Sequence, residues 1–164
     1  SLCASLRVRG VDLSASYAFD TGLGQATVFA NASRLLEFSR SANPALPSVE
    51  VLNTIFNPID WRGRAGVSLA HEHWSGAFAL NYANSYRDTL STPNRDIDAW
   101  ITYDARLAYR LSGDDRGGTE LALDVRNLTD EDPPFANNPL GVGFDTLNAS
   151  PMGRVIMAQV THRW

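Results

Sequence analysis

The side chains best equipped for chemistry in this sequence are few, and their spacing suits catalysis poorly. His71-Glu72-His73 sets two imidazoles two residues apart, which on a strand puts both on one face at a spacing that can seat a metal. No third ligand accompanies them, so they read as interfacial histidines close to a turn. Asp130-Glu131-Asp132 offers carboxylate oxygens of the kind Ca²⁺ takes. It runs into Pro133-Pro134, however, and reads as a solvated acidic loop stiffened by its prolines. Asn31-Ala32-Ser33, Asn127-Leu128-Thr129 and Asn148-Ala149-Ser150 fit the glycosylation pattern but read as polar strand and loop residues. G-x-S-x-G, P-loop and G-x-G-x-x-G motifs are absent, and His71, His162 and Asp104 form no recognisable triad. No enzyme and no cofactor are expected. What remains for ligand contact is aromatic and cationic. Phe56, Trp61, Arg95, Trp100 and Phe135 fall in long loop stretches or at the strand bases beside them, and such residues suit flat or anionic ligands.

The elements that must hold these residues are strands. Alternation of apolar and polar residues dominates, and helical stripes are scarce. In the first strand Val11, Leu13, Ala15, Tyr17 and Phe19 share one face against Asp12, Ser14, Ser16 and Asp20. Thr21-Gly22-Leu23-Gly24 is a tight turn, and the second strand, QATVFANASRLLEF, places Ala26, Val28, Ala30 and Ala32 together, with Phe29 on the polar side. Residues 41–60 hold three prolines and read as a long loop with a short extended piece at VEVL. The third strand, RGRAGVSLAHEHW, is expected to turn at Ser75-Gly76 into a fourth, AFALNYANSYRDTL. The fifth, AWITYDARLAYRL, sets Ile101, Tyr103, Ala105, Leu107, Tyr109 and Leu111 against Thr102, Asp104, Arg106 and Arg110. The sixth pairs Leu121, Leu123 and Val125 against Glu120, Asp124 and Arg126, and the seventh ends the chain on Trp164.

Strands of about 10–14 residues exceed the usual length in soluble sheets and match a tilted bilayer crossing. Connections alternate in length: TGLG, SG and SGDDRGG are short, whereas the loops near 41–60, 91–98 and 129–151 are long. That is the asymmetry of outer-membrane barrels, with long loops outside the cell and short turns in the periplasm. Asp12, Asp104, Arg106, Arg110, Glu120, Asp124 and Arg126 on one face could not form a dry core without severe desolvation cost. They are expected to line a wet interior while the apolar face meets lipid. Tyr17, Phe19, Phe78, Tyr82, Tyr103, Tyr109 and Trp164 would then supply interfacial girdles, with Tyr103 nearer the outer end of its strand and Tyr109 nearer the inner one.

Composition agrees. The chain has 164 residues, 44% of them apolar, a net charge of −4 and 14 basic residues, all arginine. The absence of lysine fits an arginine-favouring codon bias, and no basic patch suggests a nucleic-acid partner. Cys3 is the sole cysteine, which excludes an internal disulfide and argues against structural zinc. No apolar run approaches a membrane helix, and SLCASLRVRG is no signal peptide, so a mature or partial chain is expected.

Asn127-Leu128-Thr129-Asp130-Glu131-Asp132-Pro133-Pro134, then Gly143-Phe144-Asp145, Asn148-Ala149-Ser150-Pro151 and Gly153-Arg154, lead into a strand with a terminal aromatic. This run resembles the end of TonB-dependent outer-membrane receptors, whose penultimate strand closes on an NLxD-type motif and whose last loop carries Y/F-D and P-x-G-R. The resemblance implies a 22-stranded up-and-down transmembrane barrel around an N-terminal plug. With about seven antiparallel strands, this all-β chain would be the C-terminal third of such a wall, plug absent. It also implies import of a scarce nutrient such as a ferric siderophore, cobalamin or a saccharide, energised by TonB through the missing plug region. The final strand is similar to the signal read by the barrel assembly machinery, carried here by Ile156, Ala158, Val160 and Trp164, with His162 departing from the apolar preference. A passive porin shares the strand rhythm but lacks the motif run. A soluble β-sheet binding domain is the alternative from another class, with shorter strands and less one-sided loops. Alone, a partial wall with unpaired edges is expected to aggregate or need detergent, and not to transport.

Overall fold

The computed structural model describes residues 5–43, 45–114 and 117–163. Among these the fold is all-β: β1 (Ser5–Thr21), β2 (Gly24–Ser41), β3 (Val49–Glu50), β4 (Trp61–His71), β5 (Trp74–Ala83), β6 (Tyr86–Asp88), β7 (Arg95–Ile97), β8 (Trp100–Asp114), β9 (Gly117–Arg126) and β10 (Val155–Arg163). Seven of them form one sheet in the order β1-β2-β4-β5-β8-β9-β10, every neighbour antiparallel. The two-residue β3 pairs with β2, and β6 with β7 makes a separate hairpin. The edges, β1 and β10, do not meet, so the sheet is open.

The register keeps the apolar residues in unbroken rows. Tyr17 lies opposite Val28, Val28 opposite Val67, Val67 opposite Phe78, Phe78 opposite Ala105, Ala105 opposite Val125 and Val125 opposite Ile156. A one-residue slip in any strand would drive its polar set into this face, so the pattern itself holds the pairing. Leu36 is the one place where β2 gains a residue on β1, between the pairs Arg9–Glu37 and Gly10–Leu35. That bulge brings the odd-numbered residues of β2 beyond it onto the face held by its even-numbered ones, while β1 keeps its alternation. Beyond it Arg7 and Arg9 replace apolar residues on the first face, and Arg7 pairs with Glu37 at 3.5 Å. The apolar band therefore has a charged upper border.

Phe29 breaks the alternation of β2, and Gly66 explains how the sheet accommodates it. A Cβ at Gly66 would stand 2.7 Å from the Phe29 ring and 2.4 Å from the Phe78 carbonyl oxygen. The missing side chain makes the slot in which the ring lies across β4. At the short-turn end Tyr17 stacks with Phe19 (centroids 5.8 Å apart), and Trp74 packs on Tyr109 at 4.4 Å.

Two boundaries differ from expectation. The β4–β5 turn is Glu72-His73, with His71 opposite Trp74, not Ser75-Gly76. Glu72 takes the left-handed φ of 47° that such a tight turn requires. His71 and His73 thus never share a strand face: one ends β4 while the other sits in the turn beside Tyr109. The expected fourth strand also stops at Ala83, because Tyr86–Asp88 leaves the sheet to pair with Arg95–Ile97. Trp164, the aromatic member of the terminal pattern, lies outside the described residues, as does the tip of the β8–β9 turn.

Candidate functional site

The polar face and the long loops gathered at one end of it form the only extended polar arrangement among the described residues. On the face, cross-strand neighbours satisfy one another. The Arg64 guanidinium donates to Asn81 Oδ1 and to Asp104 Oδ2 (2.5 Å), and Asn81 Nδ2 donates to Asp104 (3.0 Å) and Thr102 (3.2 Å). Arg106 pairs with Asp124 at 2.6 Å and Glu120 at 3.4 Å. Toward β1, the Ser33 hydroxyl donates to Asp12 (2.5 Å) and Ser14 to Asn31 (2.7 Å). These side chains are half-exposed, so each pair contributes at most about 1 kcal/mol. Their effect is to hold a charged wall in fixed geometry. A cleft of about 560 Å³ opens on it, lined by Arg64, Trp100, Asp104, Arg126, Met152 and Met157 among others.

The loops between β2 and β4, β5 and β8, and β9 and β10 interlock. Ile55, Ile59, Ala83, Tyr86, Ile97 and Ala136 make a small buried core of their own, with Phe56 and Trp100 packed against it. Polar junctions cross between loops. The Phe56 N–H donates to Asp145 Oδ2 (3.0 Å), Asn148 Nδ2 donates to the Asn57 carbonyl (2.9 Å), and Arg62 reaches Asn148 Oδ1 (2.7 Å). Asp145 also accepts from the Leu147 N–H and Asn148 Nδ2, and is fully buried. Tyr86 faces it; burial first, then the Asp145 charge, raises the phenol well above its ordinary value and keeps it neutral.

Asp88, equally buried, joins the β6–β7 loop to the third loop. Its carboxylate accepts from the N–H groups of Leu90, Ser91 and Asn137 and from the Ser91 hydroxyl. Burial alone would raise this carboxyl, but the four donors outweigh it and hold the group below the usual carboxylate range.

A second latch ties the exit of β9 to the entry of β10. Asn127, at φ 51°, exchanges hydrogen bonds with Glu131 through both side-chain atoms. Asp130 accepts from the Arg154 N–H (2.7 Å), and its carboxylate is 3.6 Å from the Arg154 guanidinium. Gly153 sits at φ 58°, where a Cβ would come within 2.8 Å of Asp130 Oδ1. Gly153→Ala is therefore expected to cost about 2 kcal/mol through left-handed strain and displacement of Asp130, measured by equilibrium denaturation in detergent.

The five residues expected to contact ligand do not converge. Phe56 and Trp100 are drawn toward the loop core. Arg95 lies over the Phe135 ring at 4.7 Å on the loop surface. Trp61 stands opposite Arg34, on the apolar side of the sheet. The buried carboxylates Asp88 and Asp145 are structural hubs that the alternation of apolar and polar residues does not disclose. For Asp88 a local signal existed, since an Asp followed by Ser three residues on is a self-bonding turn pattern. The chain matches no family model, no curated protein and no solved structure.

Proposed function

We propose that this sheet is a section of the wall of an outer-membrane β-barrel, the C-terminal part of a TonB-dependent nutrient receptor. The observation that carries the reading is the bare apolar face. Val160 is 69% exposed, Tyr17 68%, Leu13 64% and Leu107 52%, in rows that cross seven strands. A water-soluble sheet covers such a face with a second layer. Here lipid is the covering. Val11 to Phe19 spans about 27 Å along β1, or about 20 Å along the bilayer normal after a tilt of about 40°, near the height of a barrel's apolar band. Arg7, Arg9 and Arg34 border it on the long-loop side, and the Tyr17, Phe19, Trp74 and Tyr109 rings sit at the short-turn side as an interfacial girdle.

In this reading the interlocked loops face the outside medium and capture the nutrient. The hydrated polar wall lines the passage, which opens when a plug, supplied from beyond this chain, rearranges under energy delivered by TonB. The assembly machinery reads the last strand. The nutrient specificity belongs to the loops and to parts of the receptor outside this segment.

Membrane placement is tested by single cysteines in a Cys3→Ser background, refolded into phospholipid vesicles. Leu13→Cys, Val67→Cys and Leu107→Cys are expected to be shielded from a charged maleimide and quenched by a bilayer-dissolved probe. Ser16→Cys and Gln159→Cys should show the reverse. Equal aqueous labelling of both sets, or a monomer stable in buffer without detergent, would refute the assignment. Import is tested at the gene, where a plug-coding segment upstream of Ser1 is expected and its absence would favour a passive channel.

A further inference from the structure

We propose that the three long loops form one cooperative cap that acid releases as a unit, with Asp88 as the proton-operated latch. This goes beyond the membrane reading and does not depend on which face meets lipid. The argument begins with an atom count. The two oxygens of Asp88 accept four donors, two on Oδ1 from the Leu90 and Ser91 N–H groups, two on Oδ2 from the Ser91 hydroxyl and the Asn137 N–H. A proton arriving on either oxygen enters a shell whose places are already taken by hydrogens. Three of the donors are backbone N–H groups, which cannot reverse; only the Ser91 hydroxyl can turn and accept. The junction most exposed to that loss is the bond to Asn137, which joins segments 49 residues apart.

Opening at Asp88 does not stay local, because the third loop is shared. Ala136, next to Asn137, is fully buried in the loop core with Ile55, Ile59 and Ile97. Beyond it Asp145 holds the first loop through Phe56, and Asn148 holds it through Asn57. Lifting Ala136 out therefore loosens the first loop as well as the second. The charges around the latch leave its carboxylate to the donors. Arg95, opposite Asp88 in the β6–β7 ladder, turns its guanidinium onto Phe135, and Arg87 pairs with Asp96 at 3.2 Å. The third loop meets Asp88 with the uncharged Asn137. Arg62 and Tyr86 stand at the other junction, beside Asp145 and Asn148.

The sign follows from the lowered native value of Asp88. Its contribution is complete above the ordinary carboxylate value of about 3.9 and is lost as pH falls through the lower native one. The test follows amide resonances of the whole chain in detergent micelles from neutral pH to about pH 2.5. Phe56, Ala136, Asn137 and Asn148 are expected to lose their native positions with one midpoint, below about pH 4, while β8 and β9 amides keep theirs. Ser91→Ala removes a donor that keeps the proton away, so the midpoint should move up by about one pH unit. Asp88→Asn should leave the cap open at neutral pH over an intact sheet. Three results would overturn the proposal: separate midpoints for the first and third loops, sheet and cap melting together, or an unmoved midpoint in Ser91→Ala.

Discussion

Val67→Arg is expected to destabilise the membrane-inserted protein by about 2–4 kcal/mol and to depress its yield of refolding into vesicles, whereas Ser16→Arg should change stability by less than about 0.5 kcal/mol. Both positions are exposed, Val67 at 42%. In water, neither substitution removes a packed contact, and both would fall within the small effects typical of surface changes. The difference arises only if the two faces meet different solvents. Val67 lies mid-band, flanked by Val28 and Phe78 in the ladder. If the apolar face meets lipid, an arginine there must snorkel or thin the bilayer, while Ser16 lies on the polar face, opposite Phe29 and between Ser14 and Ala18 along β1. Urea unfolding from vesicles of both variants gives the comparison directly. Equal stabilities would count against a lipid-facing surface.

The second large effect belongs to the loop cap. Asp145→Ala should cost the cap about 3–5 kcal/mol and leave the sheet standing. The fully buried carboxylate accepts from the Phe56 and Leu147 N–H groups and from Asn148 Nδ2, and Asn148 is buried beside it. Alanine offers none of them a partner, and a buried donor left unpaired costs about 1–3 kcal/mol. Protease digestion of the refolded chain is the measurement: new cleavage within 135–149 and near Phe56, with the β8–β9 hairpin resistant. Unchanged protection of those loops would show that their apolar core suffices without the carboxylate.

The strands were legible in the residues because a half-apolar strand writes its two faces into alternate positions. β8 needed nothing more than Ile101, Tyr103, Ala105 and Leu107 against Thr102, Asp104 and Arg106. The β4–β5 turn was not, since Ser75-Gly76 has turn-forming chemistry and Glu72-His73 has none, and the register set by Val67 opposite Phe78 outweighs that local preference. The break after Ala83 was hidden because Tyr86 and Leu90 keep the even positions held by Phe78, Leu80 and Tyr82; Tyr86 goes to the loop core, a destination its neighbours in sequence do not disclose. The same holds for Asp88 and Asp145, whose partners in other loops lie 49 and 89 residues away. Contacts of that span carry no period. Ligand contact is expected from residue type and loop position alone, and type does not distinguish Trp100, drawn toward the loop core, from Trp61, on the opposite face.

The strand count has a consequence for assembly. β1 and β10 stand six antiparallel steps apart and so point the same way. Curling the sheet to join them would bring like-directed strands together, and a ring of identical copies meets the same obstacle at every seam. Two copies joined β1 to β1 would match antiparallel, but one would be inverted, with its long loops at the opposite rim. A cylinder that keeps alternating directions throughout must therefore recruit an odd number of additional strands from a different stretch of polypeptide.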